Sequence, residues 1–246
     1  MEVSLGSALF RGMLVLGAAA VISSLVLVSG AQKVRSADQS MVGTGSARQR
    51  IHSDLAVWDI ALSRQSPTVA GAYQSLAADL PKVRAYLKSK GILDTQITAS
   101  SITSQAKGER DTDGRDTGKI VAYELRQHLT VRSTTVEQVE QLSREAVGDL
   151  LKSGVLVESQ APQYLYTKIG DLKVTMLGEA AKDAKARAEK IAQNVGSRIG
   201  GVRAARMGVL QITPADSTEV SGEGMNDTSA IDKDITSVIS MTFGVE

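Results

Sequence analysis

The chain has 246 residues, and its 28 Lys and Arg against 27 Asp and Glu give a formal net charge of +1. A balance this close to neutral lacks the basic footprint of a nucleic-acid binder, and no basic run supplies one locally. There is no cysteine, which excludes disulfides, thiol catalysis, iron–sulfur clusters and thiolate zinc sites together; with one Trp, two Phe and five Tyr, the core must come from Val, Leu, Ile and Ala.

Residues 12–32 carry no charged side chain. At about 1.5 Å per residue a helix of this length is roughly 30 Å long, the thickness of a bilayer's hydrocarbon core. Ala19 with Ser23, and Ala20 with Ser24, place small residues four apart, the spacing at which membrane helices approach closely. A cleaved signal is the alternative: Arg11 gives a weakly basic start and Ser29 with Ala31 a small-x-small cleavage site, although the apolar part is longer than a usual signal core. Residues 1–32 therefore form either a transmembrane anchor, in contact with the lipid bilayer through 12–32, or an export signal. Residues 33–40 are a polar tether. A retained single helix favours the inner membrane, whereas Arg11, Lys33 and Arg35 differ too little across the segment to set its orientation.

The rest, 41–246, reads as an α+β domain. Two strands are predicted at 41–50 and 55–64, the second with Ala56, Trp58, Ile60 and Leu62 on its apolar face. Ser66-Pro67 opens a helix that Gly91 closes, with Tyr73, Leu76, Leu80, Val83 and Leu87 as one apolar stripe. Pro81 predicts a kink or break there, with Asp79 placed to cap the second half. Strands at 97–105 and 119–132 flank a polar, mobile loop, 107–118. Thr134 and Glu137 form a capping box for a helix that stops before Gly154, and 155–166 is another strand. The longest soluble helix runs from Asp171 to about Val195 and packs through Leu172, Met176, Ala180, Ala184, Ala188, Ile191, Ala192 and Val195. A strand from Gly200 to Thr213, a second mobile loop at 214–234 and a last strand at 235–245 complete an antiparallel pattern with helices on one side.

Several of these residues, in order, resemble the SIMPL-domain family of bacterial envelope proteins, which includes periplasmic immunogenic antigens. They are Val42-Gly43-Thr44-Gly45 with Asp54-Leu55-Ala56; Leu87, Gly91-Ile92, Asp94 and Ile97-Thr98; Tyr123, Leu129 and Val131; and the helix bearing Ala180, Asp183-Ala184, Lys185, Ala188-Glu189 and Ala192, followed by Gly196, Gly200 and Val202. The chain departs from the family in the strand after the first helix, where residues 101–106 lack its proline and tyrosine. The likeness implies a two-lobed α+β protein, exported or membrane-tethered, with relatives that assemble into large hollow rings or cages and are linked to envelope stress and oxidative tolerance. It carries over no catalytic residues and no cofactor.

Candidate sites are few. Gly43-Thr-Gly45-Ser-Ala-Arg48 opens like a dinucleotide fingerprint, but Arg48 stands where the third glycine belongs and a strand follows, so the glycines are better explained by a bulge or by an edge where backbones approach. Asp111 and Asp113, with Asp116, are a weak calcium candidate: Ile120 occupies the twelfth position, where an EF-hand needs its bidentate Glu. His52 and His128 have no partner at ligand spacing, and Ser100, Ser101 and Ser104 lack a nucleophile-elbow signature. The stripe Tyr73, Leu76, Leu80, Val83, Leu87 is core or, alternatively, an oligomer contact. The expected partners are further copies of the chain, with the acidic loop as a surface for another envelope protein. The expectation is a non-enzymatic, self-assembling protein, with a binding module for a cation or partner protein as the alternative.

Overall fold

The computed structural model describes residues 39–246 together with Met13, Gly17, Ser23 and Ser24, these four being helical. The remainder of the 12–32 segment, including Ala19 and Ala20, and nearly all of the 33–40 tether lie outside the described residues. Among the described residues no helix is long and apolar enough to cross a membrane.

Over 39–246 the order is β1 (Ser40–His52), β2 (Leu55–Ser66), α1 (Val69–Ser89), β3 (Ile97–Ala99), β4 (Thr103–Arg110), β5 (Asp116–Ser133), α2 (Val136–Lys152), β6 (Val157–Ser159), β7 (Gln163–Leu165), α3 (Ile169–Asn194), β8 (Ile199–Met207), β9 (Gln211–Pro214), β10 (Met225–Asn226) and β11 (Asp232–Val245). Over this range the fold is α+β, with two sheets and three helices. It divides into a central unit, 48–173 with 210–236, and a terminal unit comprising residues up to Ala47, 174–209 and 237–246.

The central unit is built on a six-stranded sheet in which β2 and β5 run antiparallel from Ala56↔Ser133 to Ser66↔Tyr123. Strand alternation sends Ala56, Trp58, Ile60 and Leu62 of β2 and Leu125, Leu129 and Val131 of β5 to one face. There they meet Leu76, Val83 and Leu87 of α1 and Val139, Leu142 and Leu150 of α2 in one buried cluster. The stripe on α1 is therefore core: Leu76, Val83 and Leu87 are at most 1% exposed within the chain itself, Leu80 packs against the same cluster, and only Tyr73 is exposed. Trp58 Nε1 donates to Ser159 Oγ at 2.9 Å, so its one polar atom is satisfied.

Local signals are overruled here at several points. Pro81 lies inside α1 without interrupting it; Leu76 before it and Val83 after it are both buried against the sheet, which holds the two halves in line. Asp79 caps nothing. It is buried and accepts from Arg64 and Lys82. Thr68, rather than Ser66, caps α1 by accepting from the Gly71 amide. The capping box at α2 does not form: the N-cap is Thr135, whose hydroxyl donates to Gln138 instead.

The strand expected over 97–105 is two, β3 and β4. The β4–β5 ladder continues out to Arg110↔Asp116, so most of 107–118 is hairpin and the chain reverses in 111–115. The 155–166 strand is split into β6 and β7, which both pair with β2. Residues 214–234 are not featureless either: β10 pairs parallel with β9, β11 begins at Asp232, and Lys233 and Asp234 are each 2% exposed.

In the terminal unit, Ala180, Ala184, Ala188 and Ala192 of α3 are fully buried. A Cβ on Gly45 would overlap the Ala184 amide nitrogen and the Ala180 carbonyl, and one on Gly43 would lie 2.7 Å from the Ala184 carbonyl oxygen. The glycines of β1 thus let strand and helix backbones touch. Ile191 and Val195 are 51% and 69% exposed, because they sit off the alanine line, and so do not belong to the packing face. The strand expected from Gly200 to Thr213 is β8 and β9. β8 pairs antiparallel with β11, from Ile239↔Met207 to Val245↔Ile199.

Candidate functional site

The central unit concentrates charge along β1 and β11. Arg48, Arg50 and His52 alternate on β1 and so project to one side, as do Asp232 and Asp234 on β11. The Asp234 carboxylate is almost fully buried. It accepts from Arg48 Nη2 at 2.5 Å, Arg50 Nε at 2.9 Å and the Asp216 amide at 2.9 Å. The Arg50 and Arg48 hydrogen bonds outweigh burial and hold it well below the usual carboxylate range. Asp216, a non-glycine residue with positive φ (63°), also pairs with Arg50 at 2.5 Å.

His52 Nδ1 lies 2.8 Å from Asp232 Oδ1 and Nε2 lies 2.9 Å from Glu137 Oε1. The Asp232 bond first, then Glu137, raise its pKa against the effect of burial. With a carboxylate within hydrogen-bond distance of each ring nitrogen, the surroundings of His52 favour its protonated form. Its nearer partner is 180 residues away in sequence, which is why spacing gave no sign of it.

The central unit also holds a cavity of about 310 Å³, with walls that include Leu55, Leu165, Tyr166 and Ile212 and two cationic residues, Arg132 and Lys233. Lys233 Nζ donates to the carbonyls of Tyr164 (2.5 Å) and Asp227 (2.6 Å) and is 3.8 Å from the Asp227 carboxylate. Burial pushes the ammonium below its ordinary pKa, while Asp227 pulls the other way. Burial also raises Asp227, but bonds from the Ser229 hydroxyl and the Ser229 and Ala230 amides outweigh it. Lys233 therefore ties β7 to the turn before β11. The loop's polar composition concealed a buried lysine because hydrophobicity alone does not mark a charge satisfied by carbonyls.

Other sequence candidates take structural roles. Asp111 Oδ1 accepts from the amides of Asp113 and Arg115, closing the hairpin turn, and Asp116 Oδ1 accepts from Gly118. Among the described residues no group of three or more His, Cys, Asp or Glu is placed to hold a metal ion. His128 lies on the helix-free face of β5, and its amide donates to Ser100 Oγ. Ser101 gives its carbonyl to the Ser100 hydroxyl, while Ser104 pairs with Leu125 in the β4–β5 ladder.

In the terminal unit the notable surface is β8. Its sheet partner is β11, and residues 201–207 are all exposed, with Val202 at 55% and Met207 at 68%. The apolar cluster of this unit joins Ala180, Ala184 and Ile239 with Ala47, Ala181 and Met241, and takes nothing from β8.

A family model described as "SIMPL: Protein of unknown function (DUF541)" matches residues 42–243. The chain belongs to the SIMPL family. The SIMPL match runs from β1 to β11 and so takes in the charged network, the cavity and β8 alike. No curated protein matches the chain. Among solved structures, a protein from methicillin-resistant Staphylococcus aureus, provisionally named an aminohydrolase, is 12% identical over 58% of this chain and 37% of its own, with a TM-score of 0.23. One from Burkholderia cenocepacia, provisionally named an amidohydrolase/peptidase, is 10% identical over 56% of this chain and 34% of its own, TM-score 0.22. An uncharacterized conserved protein from Listeria innocua is 14% identical over 81% and 92%, TM-score 0.16. The SIMPL chain thus spans about a third of the first two, and likenesses this slight bear on neither its fold nor its reaction.

Proposed function

We propose that this SIMPL protein is a non-enzymatic component of the bacterial envelope that associates with copies of itself into a ring or cage, tethered to or exported across the inner membrane by residues 12–32. The observation that carries the reading is β8: a strand with one sheet partner among the described residues that exposes apolar Val202 and Met207 is the kind of edge to which another chain can add. An uncharged 12–32 segment supports the membrane connection. A part in envelope or oxidative stress tolerance is what the family likeness implies for such an assembly. A second reading, a binding module, is favoured by the cavity at Arg132 and Lys233.

The test is the mass and shape of the full chain in mild detergent, by light scattering and negative-stain imaging, beside a chain starting at Ser40. Closed rings in both would assign assembly to the SIMPL domain. Monomers in both would remove the assembly reading and leave the binding module.

A further inference from the structure

We infer that the cavity beneath Arg132 binds a small monoanion with an apolar body, a carboxylate of the benzoate or hexanoate kind. Arg132 lies opposite Val57, which in turn pairs with Gln163, on the face of the central sheet opposite the one that packs against α1 and α2; Ile169, at the start of α3, lines the same cavity. Its guanidinium has no hydrogen bond or ion pair among the described residues, although it lines a cavity of about 310 Å³ with apolar walls at Leu55, Leu165 and Ile212. The other cation there is already spent: Lys233 donates to two carbonyls and has the Asp227 carboxylate 3.8 Å away. One positive charge therefore remains uncompensated, which matches a monoanion better than a dianion. A guanidinium fork suits two carboxylate oxygens, and the apolar wall suits a short alkyl or aryl body.

The larger groove along β4 and β5 makes an instructive contrast. There both cations have carboxylate partners, Glu124 lying 2.6 Å from Lys107 and 3.2 Å from Arg126, and Glu158 3.5 Å from Arg126, so neither is left unpaired to recruit a ligand. The inference does not depend on strand-edge assembly, since every residue it uses lies in the central unit.

The experiment is calorimetry on the full chain in mild detergent, with the detergent blank subtracted, using benzoate, hexanoate, hexylammonium and inorganic phosphate as probes. Saturable binding of both carboxylates is expected, weaker binding of phosphate, and none of hexylammonium. Arg132→Gln, on an exposed side chain, should leave the melting temperature in place and weaken carboxylate binding by about ten- to a hundredfold, the span of one lost charge-assisted hydrogen-bond pair. Arg132→Lys should recover part of that loss, and Arg126→Gln should change nothing. Raising the salt concentration on the unaltered protein should weaken binding. Absence of saturable binding by both carboxylates, equal affinity in Arg132→Gln, binding indifferent to salt, or phosphate binding more tightly than either carboxylate would each overturn the assignment.

Discussion

The two units of this chain reach a close-packed interior from opposite directions. The central unit fills its core with large side chains, Trp58, Ile60, Leu62, Leu129 and Leu150, each below 2% exposure. The terminal unit does it by leaving side chains out, with Gly43 and Gly45 of β1 against Ala180, Ala184 and Ala188 of α3. Both satisfy the packing density of protein interiors, but they fail in opposite senses: the first is broken by truncation, the second by enlargement.

That contrast can be broken by substitution. Trp58→Ala, which empties the largest buried side chain and removes the indole donor to Ser159, should cost about 3–5 kcal/mol in chemical denaturation. Gly45→Val should cost about 3 kcal/mol, with hydrogen exchange accelerating in β8 and the C-terminal half of β11 while β2 and β5 keep their protection. If Gly45→Val proves neutral, the strand and helix do not touch as described.

Next in size is the buried ion pair of the central unit. Burial alone would raise the Asp79 pKa, but the Arg64 hydrogen bond and then that of Lys82 more than reverse this, so it is depressed. A depressed carboxyl contributes stability above its unfolded pKa, about 3.9, which is lost as pH falls through the folded value. Arg64→Leu should cost about 2 kcal/mol at neutral pH and flatten the acid limb of the stability curve below about pH 4. A loss that is the same at pH 3 and pH 7 would mean that Arg64 acts through packing and its bond to the Gly154 carbonyl rather than through Asp79. The smallest effect expected is a gain. Gly148 lies in α2 with nothing within 4 Å of where a Cβ would stand, so Gly148→Ala should stabilise by about 0.5–1 kcal/mol in the same denaturation assay.

The same contrast governs what is legible in the sequence. Large side chains declare a face by their period, so the Trp58 face of β2 and the Leu76–Val83–Leu87 stripe can be read from residue spacing alone. The alanine line of α3 is readable as close contact, but not its partner: Gly43 and Gly45 lie more than a hundred residues away. Pro81 and the Thr134–Glu137 pair mislead because packing of the helix on the sheet outweighs local preference. The cavity is invisible in the sequence, since Leu55, Arg132, Leu165, Ile212 and Lys233 come from five separate segments and share no spacing. His52 is similarly opaque until the fold brings its two carboxylates beside it.

The units differ at their exposed strands as well. On the projecting β4 of the central unit, Lys107, Glu109 and Arg110 are charged along the strand, the usual guard against adventitious pairing. β8 of the terminal unit carries Val202, Ala204, Ala205 and Met207 in solvent, and its arginines, Arg203 and Arg206, leave those positions apolar. An apolar edge strand and a charged one in one chain make an internal control. Hydrogen exchange on the full chain, measured at rising protein concentration, should show protection growing across 199–207 while 103–110 stays constant. Exchange at β8 that is indifferent to concentration, in a protein whose mass stays that of one chain, would contradict self-association through this strand.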